Sequence, residues 1–280
     1  MADHYFAVAG YGAGTGADVD NPETFSTVNF AAIKAGVSAG DIIYFLDGDY
    51  NHTPDFRYFA NSVTLKSLNV GGAKFYIAKV SGDALQELYF WPNANTILTF
   101  DGLKFENMKP WIASDASKWC ILKNCTIYTT TDLTSAGRGI MRQNGGGTNT
   151  VHDCSFNYIS AETNTLLIQC AANFDFQRCS FNFDLSNHSA SLATIQGFSN
   201  STTLKNCIMS ADSSTYINPA NLDFANVGVN CCVHNMGALN DQGGGTGDGT
   251  NNVFADPQFV NPTTGDLRLR PSSPCINAGA

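Results

Sequence analysis

Nine cysteines and only four glutamates stand out in this 280-residue chain. They frame two kinds of chemistry, thiol or metal chemistry and acid–base work by paired carboxyls. A structural zinc site needs ligands converging tetrahedrally, usually as C-x2-4-C pairs. The nearest approach is Cys120 with Cys125, spaced C-x4-C, and no histidine stands at a matching spacing. Cys231 and Cys232 are adjacent and face opposite ways in an extended chain. An odd count leaves at least one thiol free in the monomer. The cysteines are therefore expected to be reduced, buried small hydrophobes, with no metal and no cofactor.

Two glycine-rich stretches could cradle a phosphate or a calcium ion. In "AGYGAGTGA", Gly12 and Gly14 are followed by Ala17, so the G-x-G-x-x-G spacing of a dinucleotide loop fails. "GGGTGDGTNN", residues 243–252, occurs once and carries Thr246 where a calcium β-roll needs glycine. Both read as loops.

Composition narrows the partners. Charged residues at 14% fall below the roughly 25% of an ordinary globular protein. Asn, Ser and Thr must cover much of the surface, which favours strands and turns over solvated helices. A net charge of −9 without a basic run argues against nucleic acid. No apolar run approaches the ~20 residues of a membrane span. "MADHYFAVAG" lacks the pattern of a secretory signal, so the chain is expected either to act without export or to have lost a leader.

The elements that must position these residues come from an internal repeat. "TFDGLKF", "ILKNCTI", "TVHDCSF", "DFQRCSF", "TLKNCIM" and "GVNCCV" align Leu103, Cys125, Cys154, Cys179, Cys207 and Cys231 at spacings of 22, 29, 25, 28 and 24 residues. An apolar column follows two residues later, from Phe105 to Val233. Another precedes by three, from Phe100 to Gly228. An interval of three cannot stay on one face of a flat strand, so one residue must turn the chain. That residue is Gly102, Asn124, Asp153, Arg178, Asn206 or Asn230. Gly, Asn and Asp enter the left-handed region most cheaply, and Arg178 is the exception. A second strand series runs through "PWIAS", "GIMRQ", "LLIQC" and "LATIQ". Repeats of this length with about three strands describe a parallel β-solenoid of roughly seven or eight coils stacked ~4.8 Å apart.

The chain resembles the right-handed parallel β-helix proteins related to pectate lyases and phage tailspikes over nearly its whole length. The opening "YFAVAGYGAGTGADVDNPETFSTVNFAAIKAGVSAGDIIYFLDGDY" is similar to that family's entry segment, and "FADPQFVNPTTGDLRLRPSSPCINAGA" to its terminal one. The expected fold is all-β, a single-stranded right-handed parallel β-helix forming one domain. Residues 1–60 supply the N-terminal cap and first coil, with a capping helix near residues 27–35. Residues 61–235 form the coils, and 236–280 the Gly-rich loop and C-terminal cap.

On such a solenoid, two catalytic carboxyls about 5–9.5 Å apart would stand in one outward column, one or two turns apart. The columns Asp101, Lys123, His152, Gln177, Lys205 and Glu106, Tyr128, Asn157, Asn182, Ser210, His234 contain no such pair. Neither does the aspartate cluster of the pectate-lyase relatives have a counterpart, so catalysis is left open, leaning against an enzyme. Arg142, Gln169 and Gln196 recur every 27 residues as a polar ladder, which either stacks for stability or meets a ligand. Trp111, Trp119 and Tyr128 could stack on sugar rings. The expected function is that of a virion component, a tail spike, fibre or capsid-decoration protein acting as a rigid rod. Its expected partners are host surface glycan and other virion proteins, with homo-oligomerisation possible. The alternatives are a secreted polysaccharide lyase or glycosidase, extracellular once a leader is removed, and a bacterial surface adhesin module.

Overall fold

The computed structural model describes residues 2–9, 14–51, 55–76, 87–90, 92–107, 109–113, 119–128, 141–144, 149–159, 166–170, 174–184, 193–196, 203–212, 217–218, 228–235 and 251–276. The Gly-rich stretch 243–250 and Gly12 lie outside the described residues. Three parallel ladders of ten, nine and six strands wrap one core. The first includes Val63–Ser67, Ile97–Asp101 and Trp119–Lys123, the second Lys104–Glu106 and Thr126–Tyr128, and the third Lys109–Ala113 and Met141–Asn144. Among the described residues, only the coils crossed by the six-stranded ladder are complete and two-stranded coils flank them, so complete coils are fewer than the roughly seven or eight expected.

The corner column is borne out at every position. Gly102 (φ 71°), Asn124 (52°), Asp153 (54°), Arg178 (52°), Asn206 (56°) and Asn230 (54°) are all left-handed. The turn reverses the direction in which backbone groups seek partners. At the corner, Asp153 N–H donates to Gln177 O in the next coil at 3.0 Å, whereas two residues later Ser155 N–H donates to Cys125 O in the previous coil at 2.9 Å. The corner amides of Gly102, Asn124, Arg178 and Asn206 likewise bond to the next coil.

Past five of the six corners a cysteine points inward, and past Gly102 it is Leu103. Cys125, Cys154, Cys179, Cys207 and Cys231 are all buried. Their thiols donate to backbone carbonyls, Cys154 Sγ to His152 O at 3.1 Å and Cys179 Sγ to Val151 O at 3.3 Å. A thiol is small enough for this slot beside Phe156 and Phe181, whose rings stack at 4.8 Å. It also satisfies a carbonyl that alanine would not.

The first coils are filled instead by phenylalanine. Phe45, Phe56, Phe75, Phe90, Phe100 and Phe105 are fully buried and meet largely edge to face or tilted. The expected capping helix, α1, spans Thr27–Gly36, and Ser26 Oγ accepts from Asn29 N at 3.0 Å as its N-cap. Phe30 on α1 seals the end of the core, edge-on to Phe56 at 5.6 Å. No helix among the described residues is long and apolar enough to cross a membrane.

In the C-terminal segment, Val253–Phe254 extends the second ladder past Cys232–His234, and the chain then runs along the side of the solenoid. Phe259–Asn261 pairs antiparallel with Asp266–Leu269, joined by a 3-10 turn at Pro262–Thr264. The tip of this hairpin reaches Tyr128, whose hydroxyl donates to Thr263 O at 3.0 Å. Its far end is tied by a Cys232–Cys275 disulfide with Cα atoms 5.7 Å apart. Expecting only reduced thiols was therefore wrong for this pair. Cys232 stands on the outer side of its strand, opposite the core-facing Cys231, and the returning chain delivers Cys275 to it.

Candidate functional site

The third ladder assembles most of the expected binding residues. Its parallel register pairs Tyr89 with Trp111, Trp111 with Arg142, Arg142 with Gln169 and Gln169 with Gln196. The line runs one position out of step with the one carrying fully buried Phe90. Steps of ~4.8 Å give the line a length of about 19 Å. Sequence spacing alone found Arg142, Gln169 and Gln196. Only the pairing adds Trp111 and Tyr89, because the intervening turn length, 31 residues between Trp111 and Arg142, breaks the 27-residue interval. The side chains of these five residues lie outside the described part.

Tyr128 and Trp119 stand elsewhere. Tyr128 is on the second ladder, 8% exposed beneath the hairpin tip. A side chain at Gly265 would meet its ring at 3.0 Å, and Lys104 Nζ lies 5.6 Å from the ring centroid. Its ring is thus occupied in this structure. Trp119 opens a strand of the first ladder and is exposed.

The carboxylates sort differently from the sequence columns. Asp101 and Glu106 flank the same bend yet belong to different sheets. Asp101 accepts from Asn124 Nδ2 at 2.9 Å and pairs with Lys66 at 3.7 Å. Glu106 instead meets Lys104 at 3.7 Å. The pair that sequence reading missed is Asp49 and Glu106. Lys74 Nζ sits 3.1 Å from Asp49 Oδ1 and 3.7 Å from Glu106 Oε2. Those contacts put the two carboxylates no more than about 7 Å apart, a bound that overlaps the separation used by glycosidases. They stand in neighbouring lines two coils apart, so no single column reveals them. Burial works against the Lys74 ammonium, but the Asp49 hydrogen bond and the Glu106 charge outweigh it and hold the lysine above its ordinary range. As arranged, the trio is an ion-paired network. Among the described residues no group of three or more His, Cys, Asp or Glu side chains converges as a metal site.

The chain shares this architecture with solved proteins. The pectate lyase Pel9A superposes with a TM-score of 0.50 at 15% identity, covering 100% of this chain and 92% of that one. Rice weevil pectin methyl esterase gives 0.47 at 9% identity, covering 90% and 80%. The fold is that of the right-handed parallel β-helix proteins. No family model and no curated protein matches the chain. At these identities the likeness speaks for the β-helix alone, so the function of this β-helix has to be argued from its own faces.

Proposed function

We propose that this β-helix is a rigid rod that binds polysaccharide along its third sheet, and that in its working setting it is a virion component contacting host glycan. The observation that carries the binding reading is the register line Tyr89, Trp111, Arg142, Gln169, Gln196. Aromatic residues followed by a guanidinium and two amides, repeated at ~4.8 Å, match a saccharide chain that offers apolar ring faces and hydroxyl edges in alternation. Parallel pairing sets the spacing of the backbone positions that carry those groups. Affinity electrophoresis against a panel of neutral and acidic polysaccharides tests it. Retardation that Trp111→Ala and Arg142→Ala each abolish is the expected result, and unchanged mobility of the unmutated protein in every gel sinks the reading. Co-purification with particles decides the virion setting.

A secreted polysaccharide-cleaving enzyme is the second reading. It is favoured by the Asp49–Lys74–Glu106 network, by a fold shared with a protein described as a pectate lyase, and by the Cys232–Cys275 disulfide, a bond that persists in oxidising compartments. It predicts glycan cleavage that Asp49→Asn and Glu106→Gln both eliminate.

A further inference from the structure

The hairpin at the C-terminus covers a surface that is unusually polar for a permanent protein seam. The line beneath it on the second ladder runs Tyr128, Asn157, Asn182, Ser210. Asn157 is 1% exposed and Ser210 6%. The parallel line alongside carries Thr126 and Ser155, whose hydroxyls bond at 3.1 Å. None of these six residues carries a charge. The groove holds the hairpin tip through main-chain carbonyls: Tyr128 Oη donates to Thr263 O and Asn157 Nδ2 to Pro262 O, each at 3.0 Å. Asn182 Nδ2 donates to Asn157 Oδ1 at 2.7 Å, which orients the Asn157 amide toward the tip. An aromatic ring, amides and hydroxyls line successive coils here, with Lys104 and Glu106 next in line at the Tyr128 end, and they are groups suited to a neutral saccharide whose oxygens would replace the carbonyls they now bind.

We propose that this furrow is a latent binding groove for a neutral saccharide chain, with the C-terminal hairpin as its tethered cover, opened when a thiol reductant breaks Cys232–Cys275. It lies on a different sheet from the Trp111 line and does not depend on it. With dithiothreitol, one thiolate attacks Cys275 Sγ and the sulfur–sulfur electron pair leaves with Cys232 Sγ, which takes a proton. The second thiol then displaces Cys275 as a thiol and closes the cyclic disulfide, so the protein gains two electrons and two protons.

The test uses the full chain carrying Trp111→Ala, which removes the third-sheet contribution. Hydrogen exchange over residues 259–269 is followed in the oxidised protein, after dithiothreitol, and in Cys275→Ser. Maltohexaose, cellohexaose and mannohexaose are titrated calorimetrically into each. Release raises exchange about tenfold or more in the last two states. At least one hexasaccharide then binds only in those states, and Asn157→Ala in the Cys275→Ser background weakens it about tenfold. Hairpin amides that stay protected after reduction overturn the proposal. So does a released hairpin with no hexasaccharide bound, which makes the segment a structural tail only. Unchanged near-ultraviolet circular dichroism of the coils confirms that a variant is folded.

Discussion

Arg178 is the corner residue whose type disagrees most with its backbone. At φ 52° it sits where its column otherwise uses Gly, Asn or Asp. Its guanidinium forks onto the preceding corner, Nε to Asp153 Oδ1 at 2.6 Å and Nη2 to Asp153 Oδ2 at 2.7 Å. The Arg178 hydrogen bond, more than its charge, holds the Asp153 carboxyl below the usual range. Both side chains are about half exposed, so the pair is worth only about 0.2–1 kcal/mol, comparable to what the left-handed backbone costs. Arg178→Asn is therefore expected to unfold in urea within about 1 kcal/mol of the parent, whereas Arg178→Val, β-branched at a positive φ, loses about 1–2 kcal/mol. Asp41 offers a pH test. The N–H groups of Ala2 and Ser38 donate to it at 2.7 and 2.8 Å and depress its pKa. A depressed carboxyl stabilises the fold above its unfolded value of about 4 and loses that contribution as pH falls through the folded value. Asp41→Asn should flatten the acid limb of a melting-temperature profile while leaving its neutral plateau lower.

At the scale of the element, the cysteine column behaves as core. Burial pushes the thiols of Cys120, Cys154 and Cys207 upward, and for Cys231 the Cys207 thiol and burial act together. Iodoacetamide at mildly alkaline pH should leave these four unmodified in the native protein and label them once guanidinium is added, as read by intact mass. Thiol chemistry needs an accessible thiolate, so labelling of the folded protein counts against a packed column. Cys179→Ala removes the bond to Val151 O and leaves a void, and should cost about 1–2 kcal/mol. The third ladder belongs to this scale as well. Its register turns residues 31 and 27 positions apart into one line, which is why the Arg142 and Gln169 neighbours were legible in sequence and Trp111 was not.

At the scale of the whole molecule, a solenoid whose coils touch only their neighbours gains little long-range cooperativity from the coils themselves. The hairpin supplies it by spanning from Cys232 back to Tyr128. The disulfide closes a segment 43 residues long, worth about 4 kcal/mol in the chain-entropy limit. Reduction should lower the melting temperature and split the transition if the last coils then open first, which scanning calorimetry with and without reductant resolves. A single sharp transition unchanged by reductant contradicts this account.

The repeat determined the β-helix, its left-handed corners and its inward cysteines, because each is a local demand: alternation in a strand, one bend per phrase, and a small side chain after it. The capping helix was expected from the resemblance of the opening segment, and the structure shows Ser26 capping it and Phe30 buried beneath it. What tertiary structure decided is everything that depends on how coils of unequal length fall into register. Asp49 meets Glu106 across Lys74, Trp111 joins the line of Arg142, and Thr263 arrives at Tyr128 from 135 residues away. Loop lengths set those meetings without leaving a period in the sequence, and the pairing of Cys232 with Cys275 follows only once the hairpin has been laid along the second sheet.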